Sequence, residues 1–366
     1  MVVAAGFLVM FTTCALIFTF GVWQSLYEEM AAQPNTPFTG NSTALINLIG
    51  TSMTYVPTMA VAPTWFDKRR GLAMGVIISG TGVGGMVWPP VLSAIIDSIG
   101  FRNALRIAGC VSVTLVSLAG YSLGWEPDFE NQVRVQTQGM SRVNGWMKIP
   151  LINWRVARTK RFVAQGSGCF LQSAGYSTPL FFYAAYARAL GYSNTTATNF
   201  ITVSNASNFV SRIIIGYGAD KYGRINALAF TTLLSAVAVF GFWLPSMFKD
   251  STISGSSADG MFITFTVLYG AFASAYISLF PASLIELFGA QNYTSVNGSL
   301  YLIRGMGALI GTPLTGLLIP ESKALVSSIS YERAGITVGV LLFAATVACF
   351  IVRIEAMMGS PWRWKM

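Results

Sequence analysis

At 366 residues, with 53% hydrophobic and 10% charged side chains and a mean hydropathy of +0.57, the chain falls outside the soluble class, whose members carry about 25% charged residues. Its formal charge of +9 comes with no histidine, and Cys14, Cys110, Cys169 and Cys349 are scattered through apolar runs, which excludes a disulfide framework and a zinc site. In so apolar a chain, excess Lys and Arg belongs to the cytoplasmic loops of a multi-pass membrane protein and not to nucleic-acid binding; neither a cofactor nor a metal is expected.

A helix needs roughly 20 apolar residues to cross the hydrocarbon layer. On that criterion the sequence predicts ten spans, at about 3–26, 44–66, 71–96, 102–123, 161–187, 195–216, 225–247, 260–287, 294–319 and 333–354. The first has no basic residue before it and too long an apolar run for a cleaved signal peptide, so it is read as a helix. The long loop at 124–160 divides the chain into an N-terminal half of four spans, 1–123, and a C-terminal half of six, 161–366.

An even count puts both termini on one side. If that side is the cytoplasm, the inner loops hold Lys68, Arg69 and Arg70, the run from Arg134 to Arg161, Lys221, Arg224, Arg353, Arg363 and Lys365; the outer loops keep only Arg102, Arg188, Lys249, Lys323 and Arg333. The positive-inside rule therefore places both termini in the cytoplasm. The outer side then receives the glycosylation sequons at Asn41 and Asn194, although similar triplets at Asn205, Asn292 and Asn297 weaken the signal. In the loop, Trp146, Ile149, Leu151, Ile152 and Trp154 alternate with five cations, which fits either an amphipathic segment on the anionic inner leaflet or a solvated linker.

The third span opens on DKRR, Asp67 to Arg70, and is rich in glycine. Its GTGVGG matches a dinucleotide-binding pattern, but no strand precedes it and no acidic residue follows at the distance a ribose contact requires. Small residues in a membrane helix instead let two backbones approach closely, so Gly75, Gly80, Gly82 and Gly85 are expected to pack a neighbouring helix, as are Gly305, Gly307, Gly311 and Gly316 in the ninth span. Pro89 and Pro90 in the third span and Pro281 in the eighth are candidate kinks.

A second charged hinge follows the sixth span: GYGADKYGR, with Gly216, Asp220, Gly223 and Arg224. This G-x-x-x-D-x-x-G-R pattern resembles the loop motif of the major facilitator superfamily. The earlier WFDKRRGLAMG, with Trp65, Phe66, Lys68, Arg69, Arg70, Leu72, Ala73 and Gly75, resembles the monocarboxylate transporter family in its fungal form, as does FRNAL at 101–105. The resemblance implies an all-α helical bundle of twelve spans in two halves, with Asp67, Lys68, Arg69, Arg70, Gly216, Asp220, Gly223 and Arg224 as gating residues of the cytoplasmic hinges. With about ten spans here, the resemblance implies that roughly 60 residues carrying a third helix are missing inside 44–66, and that the sequence lacks the family's N-terminal lead-in.

Ionisable residues deep in a membrane are functional candidates. Arg212 matches the family's substrate-carboxylate arginine; Asn208 stands where the family has an acidic partner, and Gly21 where it has a lysine. Arg304 in the ninth span is a further candidate, and Arg106 and Glu286 lie near span ends. Arg212, Asn208 and Arg304 are thus the expected substrate contacts, with the alternative that Arg212 only binds helix-end carbonyls or snorkels inward. No carboxylate lies deep in a span, so proton coupling is not expected. With no nucleophile–base pair or metal cluster, an enzyme is not expected either. The resemblance implies a transporter of a small organic, anionic or polar molecule, as in family members that carry monocarboxylates or secondary metabolites. The expected location is the plasma membrane, or else a vacuolar or other endomembrane. The rival expectation is a non-transporting relic or substrate sensor.

Overall fold

The computed structural model describes residues 1–14, 54–137, 154–248, 255–319 and 327–358, and among these every regular element is helical. In chain order they are α1 (Val2–Val9, extended by a wide turn to Cys14), α2 (54–61, tightening into Ala62–Trp65), α3 (Arg70–Ile99), α4 (Phe101–Ser122) and α5 (Pro127–Thr137). The second half contributes α6 (Lys160–Ala189), α7 (Asn194–Tyr222), α8 (Arg224–Ala238, continuing to Ser246), α9 (Gly255–Ala273), α10 (275–288), α11 (290–316) and α12 (Glu332–Met358). The last eight predicted spans fall on these helices, α9 and α10 together making the eighth. The parts of the first two spans at 15–26 and 44–53 lie outside the described residues, as do Gly21, Asn41 and much of the expected gap.

Five runs among the described residues are long and apolar enough to cross a membrane: Arg70–Ile99, Phe101–Ser122, Arg224–Ser246, Gly255–Gly316 and Ser328–Met358. Helices α6 and α7, of 30 and 29 residues, are as long but more polar, because they carry Gln165, Gln172, Asn205, Asn208 and Arg212 in their interiors. All five of those side chains are buried. A polar stripe turned inward is what separates a helix that lines the middle of a bundle from one that faces lipid all round.

Two features of the connections differ from expectation. The 124–160 loop begins with a helix, α5, because Glu126 accepts a hydrogen bond from the Phe129 amide at 2.8 Å and Asp128 and Glu130 lie in the positive first turn. Trp125 and Phe129 then anchor it by stacking, and Phe129 meets Tyr293 of α11. Between α10 and α11 the turn shrinks to Gly289, whose φ of 74° lies in the left-handed region that glycine enters without strain. Pro89, Pro90 and Pro281 sit within continuous helices; the break in the eighth span falls instead at Ser274.

The bundle is organised around α3. Its glycines face two helices: a Cβ on Gly80 would meet α1 at the Phe7 carbonyl oxygen, 2.5 Å away, whereas Gly71, Gly75, Gly82 and Gly85 face α7. There a Cβ would lie 2.7 Å from the Gly216 oxygen at Gly71 and 2.9 Å from the Asn205 oxygen at Gly82, and would overlap the Arg212 oxygen at Gly75. The pairing 71 with 216, 75 with 212 and 82 with 205 runs antiparallel, as the alternating spans require. In the ninth span Gly307 and Gly311 make equally close contacts with Phe170 and Ala174 of α6, while Gly305 touches nothing and Gly316 makes an ordinary contact with Phe182.

A side chain at Gly75 would have to displace backbone on both helices, which is costlier than overpacking a core at 1–3 kcal/mol. Gly75→Leu is expected to lower thermal stability in detergent by at least that amount, whereas Gly109→Ala on α4, with nothing within 4 Å, should leave it unchanged or raise it.

Candidate functional site

At the predicted cytoplasmic end, three segments distant in sequence converge. The α3 N-terminus leaves its first amides without helical partners, and Asp220 at the end of α7 accepts from two of them, Gly71 and Leu72, both at 2.8 Å. Arg224 donates through Nε to Asp220 at 2.9 Å and through Nη2 to the Asp67 carbonyl at 2.6 Å, and it is ion-paired to Glu286 of α10. Arg70 binds the Pro63 carbonyl at 2.7 Å and the Asp67 carboxylate at 2.9 Å. Arg70 and Arg224 are both 6% exposed, and the Arg224–Asp220 pair at the centre of the network is shielded from water and worth more than a surface ion pair, whereas the Asp67 carboxylate is exposed. The joint between α7 and α8 is Gly223, whose φ of 99° turns the chain so that Asp220 and Arg224 share one face.

Of the predicted hinge residues, Asp67, Arg70, Gly216, Asp220, Gly223 and Arg224 come together here; Lys68 and Arg69 are exposed beside the cluster and take no part in these bonds. The sequence reading noted Glu286 as ionisable but did not assign it to the hinge. The available signal was its place at the inner end of the eighth span, level with both charged loops.

Deeper in the bundle Arg212 is 2% exposed and reaches across the α3–α7 seam, donating Nη1 to the Ile78 carbonyl and the Thr81 hydroxyl, with Tyr176 of α6 also bonded to it. It thus ties α3 to α7 through a carbonyl in the interior of α3 and a hydroxyl, and not through carbonyls at a helix end. Asn208 lies one turn earlier on the same stripe, buried, and its Oδ1 has no partner among the described residues.

Arg304 sits on α11, with its guanidinium 6.0, 5.8 and 6.0 Å from the ring centres of Tyr276, Phe280 and Tyr301. It is 9% exposed; among the described residues no carboxylate pairs with it and its Nη1 has no hydrogen-bond partner. The hydroxyl of Tyr276, one of those rings, and the Gln172 Oε1 of α6 are likewise unpartnered among the described residues. Tyr176 lies within electrostatic reach of both arginines, so the two candidates border one region of the bundle. Sequence reasoning missed Tyr176, Gln172 and Tyr301. The spacing of Gln165, Gln172 and Tyr176 along one face of a membrane helix was the legible sign.

The other aromatics of the fifth and eighth spans mostly serve packing. Phe181 is 68% exposed, and Tyr183, Tyr186 and Tyr269 join Trp243, Phe262 and Phe265 in a buried cluster. Arg106 is exposed and Asn194 opens α7.

A model of the Major Facilitator Superfamily matches residues 1–258. Among curated proteins, the chain is 26% identical over 321 residues to an "MFS-type transporter" of Gibberella moniliformis, covering 88% of this chain and 70% of that one. It is 27% identical over 273 residues to the "Agnestins efflux protein AgnL12" of Paecilomyces divaricatus, covering 74% and 57%. The chain thus spans 70% and 57% of the length of these two relatives. Among solved structures, a bacterial homologue of the iron transporter ferroportin in its outward-facing state superposes with a TM-score of 0.59 at 16% identity, over 96% of this chain and 83% of that one; at that identity the likeness concerns the fold alone.

The buried and exposed members of the hinge should separate on substitution. Asp220→Asn removes the charge that two helix amides and Arg224 share, and should destabilise by about 3 kcal/mol. Asp67→Asn, at a side chain 95% exposed, should cost less than about 1 kcal/mol in the same detergent unfolding measurement.

Proposed function

Because the chain belongs to the major facilitator superfamily, we propose that it is a secondary transporter that moves a small organic substrate with an anionic or polar group across a membrane by alternating access. The observation that carries this reading is Arg304. Desolvating a cation costs several kcal/mol, and three rings at about 0.5–2 kcal/mol each offset only part of it. An anionic ligand at Nη1 offsets the remainder, and the hydroxyl of the adjacent Tyr276 offers a further unpartnered polar atom. Arg212 acts at one remove: its hold on Thr81 and Ile78 ties the substrate region to the seam on which the halves turn.

The charged network is the cytoplasmic gate. With Asp220 on the amides of α3 and Arg224 joined to Glu286, the inner ends of α3, α7 and α10 are closed together, which corresponds to an outward-open state. Orientation with both termini in the cytoplasm agrees with this, since Asp67, Asp220 and Glu286 were all placed at inner ends by the span count. The resemblance to fungal monocarboxylate transporters and the names of the efflux relatives support an organic acid or secondary metabolite as cargo. The rival reading, a sensor or relic, predicts cargo binding without flux.

The test is flux in proteoliposomes over a panel of organic acids, with parallel binding measurements. Arg304→Ala should reduce flux at least tenfold, and Arg304→Lys should restore part of it because the charge remains while the planar fork is lost. Wild-type flux in Arg304→Ala would refute the substrate site, and binding without flux in the unmodified chain would select the sensor. For the gate, in a Cys110→Ser background, Glu286→Gln should increase thiol labelling of a cysteine introduced at Ala219, which is 1% exposed beside Asp220, as the inner ends part more often; unchanged labelling would remove Glu286 from the gate.

A further inference from the structure

Beside the charged network, a second contact joins the two halves at the same end of the bundle, and it carries no charge. Tyr293, in the first turn of α11, is buried, and its hydroxyl donates to the Met59 carbonyl of α2 at 3.1 Å, between residues 234 apart in sequence. Pro63, four residues after Met59, has no amide to offer that carbonyl, which leaves it open to a donor from another helix. The Tyr293 ring in turn meets Phe129 of α5 edge-on, with ring centres 6.4 Å apart and planes at 77°.

Helix α5 follows α4 directly and is pinned to the first half at its root, where the Trp65 indole nitrogen donates to the Gly124 carbonyl at 2.7 Å. From that root the Glu126 carboxylate caps the helix, and Trp125 stacks on Phe129 with ring centres 5.2 Å apart. Of the described side chains of α5 only Phe129 is buried; Asp128, Glu130, Asn131 and Val135 are exposed. Phe129 enters an apolar cluster with Tyr276, Leu279, Phe280 and Leu284 of α10 and Tyr293 and Val296 of α11. Every other buried member of that cluster, among the described residues, lies between Phe162 and Cys349, in the second half. The helix is thus rooted in one half and has a single aromatic foot in the other.

We propose that α5 is a strap that holds the inner end closed, with Phe129 and Tyr293 as gating residues additional to the charged network. Any parting of the halves that opens the inner side must draw Phe129 out of its cluster, because its root moves with Trp65, and must break the bond between Tyr293 and Met59. One aromatic foot suits a contact that is made and broken in every cycle, since it stabilises the closed end without fixing it. The proposal rests on the alternating-access reading above.

The experiment measures thiol labelling of the purified full chain in detergent, in the Cys110→Ser background. One cysteine is introduced either by Ala219→Cys at the inner end or by Ala187→Cys, buried near the predicted outer end of α6. Phe129→Ala should raise the labelling rate at 219 by about threefold to tenfold, the worth of a buried aromatic pair, and leave the rate at 187 unchanged. Trp65→Phe, which keeps a ring but loses the donor to Gly124, should also raise the rate at 219. Tyr293→Phe keeps the ring against Phe129 and loses only the bond to Met59, so its rise should be smaller. Val135→Ala, at an exposed position of the same helix, should change neither rate. The strap is refuted if Phe129→Ala or Trp65→Phe leaves the rate at 219 unchanged. It is equally refuted if Phe129→Ala raises labelling at 187 as much as at 219, the mark of general loosening. Glu286→Gln is read at the same cysteine, so a rise there without one in Phe129→Ala overturns the strap and leaves the charged gate standing. A rise in Phe129→Ala without one in Glu286→Gln supports the strap and removes Glu286 from the gate.

Discussion

The close approach of α3 and α7 is the constraint from which the rest of the structure follows. In a bilayer, lipid tails compete with apolar side chains on equal terms, so helices are held by close packing and polar contacts and not by expulsion of water. Gly71, Gly75, Gly82 and Gly85 bring the α3 backbone against Gly216, Arg212 and Asn205. Only at that separation can Asp220 reach the amides of Gly71 and Leu72, and only then can Arg212 reach Ile78 and Thr81 on the opposite helix. The seam, the charged network and the Arg212 clasp are therefore one construction, and movement at any part of it is felt at the others.

Two buried arginines divide the labour that the sequence assigned to both. Arg212 places Nη1 on a carbonyl and a hydroxyl of the facing helix, with Tyr176 of α6 beside it. Arg304 has aromatic faces around it and an unpartnered nitrogen among the described residues, which leaves it the better placed to meet an anion. In a medium where charge is expensive, the less satisfied cation is the one whose environment changes most on binding a ligand. The substrate reading accordingly rests more on α11 than on the helix that resemblance favoured.

The helical class, the later eight spans, the two charged hinges and the glycine face were all legible in the sequence, because each depends on local chemistry: apolar length, charge at span ends, and small residues at helical spacing. The partners were not. Nothing in GTGVGG says that Gly80 faces α1 while its neighbours face α7; nothing in the inner end of the eighth span says that Glu286 meets Arg224. Nor does the presence of Arg304 on a helix predict that Tyr276, Phe280 and Tyr301 surround it. These facts depend on the register and rotation of helices far apart in the chain, which the hydrophobic pattern leaves open and which close packing between backbones decides. The sequence by itself determined that this chain crosses a membrane and where its charges must lie; the tertiary structure alone decided which charge answers which, since only there do segments some 150 residues apart come within a hydrogen bond of each other.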